Sequence, residues 1–76
     1  MKVFDLRFTD AASMQSAFNR AQDRSAVDSC TLDPEELRMR FVAPNEEADE
    51  LAHRIYLDGG LRWCSGHVLG PPVGSR

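Results

Sequence analysis

The stretch LRMRFVAP, residues 37–44, is the most strand-like run in the chain, with Leu37, Met39 and Phe41 alternating with Arg38 and Arg40. A period of two is the pattern of a strand with one face packed and the other in water, which puts both arginines on the face away from the core. The residues just before it complete a hairpin. AVDSCTL (26–32) reads as its partner strand, and Pro34 after Asp33 suits the second position of a type I turn in the four-residue loop DPEE. Setting Leu32 opposite Leu37 places Cys30 across from Met39 on the apolar face, with Thr31 and Ser29 across from Arg38 and Arg40 on the other. Asp28 then opposes Phe41, a mismatch that implies a later strand start or a bulge.

The flanking segments alternate between the two periods. KVFDLRF, residues 2–8, sets Phe4, Leu6 and Phe8 against Val3, Asp5 and Arg7 and reads as a half-buried strand. Thr9 or Asp10 caps a helix running to about Arg24, with Met14, Ala17, Phe18 and Ala21 on one face. Beyond Pro44, Asn45 is the expected N-cap of a helix over 46–58. Glu46 and Glu47 sit at its positive end, and Ala48, Leu51, Ala52 and Ile55 form its apolar stripe. Gly59 or Gly60 ends it in the left-handed conformation. LRWCSGHVL, residues 61–69, is the last strand, with Leu61 and Trp63 expected on one face and Arg62 and Cys64 on the other. GPPVGSR, residues 70–76, reads as a flexible C-terminal tail.

The order strand, helix, strand, strand, helix, strand resembles the plan of the ferredoxin-like α+β fold over residues 2–69. That plan is a βαββαβ two-layer sandwich, a four-stranded antiparallel sheet with both helices on one face. Residues 1–69 are then a single domain. The resemblance is to a fold plan and not to a sequence family. It implies the strand order 4, 1, 3, 2 and leaves the second face of the sheet uncovered, where Arg7, Arg38, Arg40 and Arg62 converge with Asp5 as the main acid among them. Four of the eight arginines in the chain then share one surface.

Composition limits what that surface does. Twelve acids against nine bases give a formal charge of -3, so long-range attraction to nucleic acid or to an anionic membrane is not expected and any anion site is local. RNA-recognition domains of this fold stack bases on aromatics of the two central strands, whereas the outward positions here are Asp5, Arg7, Arg38 and Arg40. Glycine is absent from residues 1–58, and the loop after the first strand, FTDAAS, holds neither a phosphate-cradling glycine run nor a metal-binding cysteine pair. Cys30, His53, Cys64 and His67 are the minimum four zinc ligands by type. The plan puts the second and fourth strands at opposite edges about 14 Å apart, too far for one site or for a disulfide. No metal, cofactor or catalytic residue is therefore assigned. No apolar run reaches a membrane span, and the acids in MKVFDLRFTD interrupt any signal-peptide core, so the expected location is the cytoplasm.

The reading that follows is a small non-enzymatic interaction or regulatory module. It uses the arginine-lined open face or an edge strand to bind an acidic protein surface, a small anion or a second copy of itself as a homodimer, with Val3 and Val42 as apolar contacts. The alternative is a small enzyme of the dimeric α+β barrel type acting on an anionic small molecule, with His67 or His53 as base. No acid and base are paired by spacing, which favours the non-enzymatic reading.

Overall fold

The first strand has its full expected length: β1 spans Lys2–Phe8, with Phe4, Leu6 and Phe8 buried as the alternation predicts and Val3, on the other face, buried as well. In the computed structural model, which describes residues 1–69, α1 (Ala11–Gln22), β2 (Ser29–Asp33), β3 (Arg38–Ala43), α2 (Asn45–Asp58) and β4 (Leu61–Val68) follow in the expected order. The tail expected over 70–76 lies outside the described residues. All pairings are antiparallel and the sheet order is β2-β3-β1-β4, the ferredoxin-like α+β arrangement.

One core joins the sheet to the helices. Met14, Ala17 and Ala21 of α1 and Ala48, Leu51, Ala52 and Ile55 of α2 pack with Leu6, Phe8, Met39, Phe41 and Ala43. Phe4 and Phe41 stack with centroids 5.4 Å apart. Each fully buried side chain of this size contributes about 1.5–3 kcal/mol by leaving water. At the surface Arg20 to Asp58 (2.7 Å) ties α1 to α2, and Arg24, just past the end of α1, reaches Glu50 of α2 (3.5 Å). No helix among the described residues is long and apolar enough to cross a membrane.

Local chemistry corrects four expectations. The hairpin pairs Leu32 with Met39 and Cys30 with Phe41, two residues away from the expected register. Asp33 and Glu36 do close a turn, with Pro34 in its second position, but Leu37 follows at φ 53 and belongs to the loop rather than to β3. A slip of two keeps every side chain on its face. It also removes the Asp28 mismatch, because β2 starts at Ser29. Asp10 is the cap of α1, accepting from the Ser13 amide at 2.7 Å, and the helix ends at Gln22 rather than near Arg24. In α2 the N-cap is Pro44 and not Asn45, whose backbone is already helical. The Pro44 carbonyl accepts from the Ala48 amide at 2.7 Å.

The fourth correction concerns β4. Trp63 pairs with Arg7 and Cys64 with Leu6, so Trp63 lies on the open face and Cys64 on the helix side, the reverse of the expected phase. A β-bulge is the cause: Arg7 is opposite Trp63 while Phe8 is opposite Leu61, leaving Arg62 as the extra residue. Leu61 keeps its expected place against the core, and the alternation restarts out of step after it.

Candidate functional site

Cross-strand partners share a face, so the registers define the open surface as three rows. Asp33, Arg38, Arg7 and Trp63 form the first, Thr31, Arg40, Asp5 and Ser65 the second, and Ser29, Val42, Val3 and His67 the third. The expected convergence of Arg7, Arg38, Arg40 and Asp5 is present, and Arg62 joins it through the bulge. Val3 and Val42 pair at the far end, where Val3 is only 9% exposed and offers little contact area.

Ion pairing divides the arginines into two classes. Arg40 grips Asp5 with Nε at 2.9 Å from Oδ1 and Nη2 at 3.4 Å from Oδ2. That hydrogen bond, and then the charge of Asp5, push the Arg40 pKa further up. Arg7 pairs with Glu36 of the hairpin loop, which relieves its repulsion from Arg38 directly across the strand. The Arg7 Nε is buried without an acceptor among the described residues. Arg38 and Arg62 are exposed and make no ion pair among the described residues.

The two arginines without an ion pair among the described residues share one depression with an indole. Arg7, Arg38, Arg62 and Trp63 line a shallow depression of about 410 Å³, and Trp63 is 49% exposed. Pattern reading missed Trp63 because a bulge leaves no mark on hydrophobic alternation. The one available signal was its position between Arg62 and Cys64, where a shift of one residue exchanges the two faces.

The remaining polar groups do not assemble. Cys30 and Cys64 occupy opposite edge strands, and burial pushes both thiols up, which holds them protonated at neutral pH. His67 lies opposite Val3 on the open face, while His53 is exposed on α2. No group of three or more His, Cys, Asp or Glu side chains among the described residues is placed to hold a metal ion. Comparisons of the chain with protein-family models, with curated proteins and with solved structures find no match.

Proposed function

We propose that this chain is a non-enzymatic interaction module that docks an acidic protein surface on its open sheet face. The observation that carries the reading is the grouping of Arg38 and Arg62, both without a carboxylate partner among the described residues, around the half-exposed Trp63. Arginine and tryptophan are the residues most enriched among those that dominate interface energetics. The guanidinium forks meet carboxylates bidentately, and the indole supplies apolar area to an otherwise polar face. Arg7, neutralised by Glu36, stands between Arg38 and Trp63 in the first row, and Arg40–Asp5 neutralises the second, so the surplus positive charge lies at Arg38 on β3 and Arg62 on β4.

Titration with a fluorescent polyglutamate peptide tests the proposal. The expected result is saturable binding that weakens with salt and falls about tenfold, or about 1.4 kcal/mol, in an Arg38→Ser/Arg62→Ser double variant whose circular dichroism is unchanged. An Arg54→Ser control on α2 retains full affinity. Equal affinity in the double variant and the wild type refutes the assignment to this face.

A further inference from the structure

The depression at Arg38, Arg62 and Trp63 is more particular than an acid-binding patch. We infer that it is a site for a small ligand carrying one phosphate monoester and one planar ring system, with Arg38 and Arg62 holding the phosphate and Trp63 stacking the ring system. The inference rests on the reading of the same face as an anion-binding surface and names a second, smaller ligand for the same arginines.

Charge selects the anion. Two guanidinium groups there have no ion pair among the described residues, and the third, Arg7, is engaged by Glu36. A phosphate monoester carries about -1.5 to -2 near neutral pH and presents three acceptor oxygens, which matches two forks better than a singly charged carboxylate does. Size and shape select the rest. A volume of about 410 Å³ falls toward the small end of ligand sites, which run from roughly 300 to 1,000 Å³. The bulge is what makes the site, since it brings the consecutive residues Arg62 and Trp63 to line one depression.

The same face argues against a nucleic-acid strand. Proteins that track a strand combine several stacking aromatics with a continuous basic groove. Among the described residues Trp63 is the one aromatic on this face: Phe4, Phe8 and Phe41 point into the core. Arg40, the next cation along the sheet, is closed by Asp5. One ring and one phosphate exhaust the binding groups.

Trp63 is the only tryptophan of the chain, so its indole N–H gives a single resonance that reports on the site directly. The full chain is titrated with adenosine 5′-monophosphate, with inorganic phosphate, with adenosine and with an unphosphorylated single-stranded octanucleotide. Adenosine 5′-monophosphate is expected to shift the indole resonance saturably and to bind at least tenfold more tightly than phosphate or adenosine. By calorimetry, Trp63→Leu reduces its affinity to that of phosphate, and Arg38→Ser/Arg62→Ser reduces it to that of adenosine. The inference is overturned if the nucleotide binds no more tightly than phosphate, if the indole resonance does not move, or if the octanucleotide binds more tightly than the nucleotide. Polyglutamate binding measured on the same samples separates the two proposals. Its persistence alongside a failed nucleotide titration removes only the ligand assignment, and its absence removes the docking reading itself.

Discussion

Asp10 shows how one side chain serves the fold without touching the core. Its carboxylate accepts from the Ser13 amide, and that hydrogen bond is the main cause that holds its pKa below the ordinary 3.8. A carboxyl whose folded-state pKa is depressed contributes stability above its unfolded value and loses it as the pH falls through the lower folded value. Acid titration is therefore expected to loosen the start of α1 below about pH 4, seen as faster amide exchange at Ser13 and Met14, and Asp10→Ala abolishes that pH dependence. An unchanged acid profile in the variant contradicts the assignment. At the same scale, the cap was legible to within one residue, Thr9 or Asp10, because capping depends on residue type, and only the folded backbone chooses Asp10. Leu37 was not legible, because leucine at φ 53 is imposed by the loop that joins two paired strands and not by anything leucine prefers.

At the scale of elements, alternation located β1 and β3, and the three-and-four spacing located both helices, because each has a buried face along its whole length. The edge strands were harder. β2 is five residues long and its register depends on how many residues the loop takes. β4 changes phase at a bulge whose cause is its pairing with β1. Glycines precede that strand and lie within it. Gly59 and Gly60 precede it with φ 86 and 79, and a Cβ at Gly66 would stand 2.6 Å from the Phe4 ring, which lies over that position. Gly66→Val is thus expected to displace Phe4 from its stack with Phe41 and to cost about 1–3 kcal/mol through overpacking, measured as a lower urea midpoint with an unchanged slope. A variant as stable as the wild type denies that Phe4 packs on Gly66. The bulge that misled the reading of β4 is also what lines the depression with Arg62 and Trp63.

Across the whole molecule, the question raised by arginines on a strand of an acidic chain has a divided answer. The chain carries a formal charge of -3, yet four arginines reach one face. The topology that collects them was legible, since sheet order and alternation together decide which residues share a surface. Their pairing was not. Asp5 lies 35 residues from Arg40 and Glu36 lies 29 from Arg7, so only the folded chain reveals that two of the four are neutralised and two have no ion pair among the described residues. Because the net charge is negative, docking on this face depends on short-range contacts rather than on long-range steering, and salt weakens it without a steep dependence. The measurement that bears most directly on this account is a map of backbone amide shifts in the full chain on adding polyglutamate. The largest changes are expected at residues 38–40 and 61–65, with α1 and α2 unperturbed. Changes centred on Arg20, Arg24 or Arg54, or spread evenly over the molecule, would contradict it.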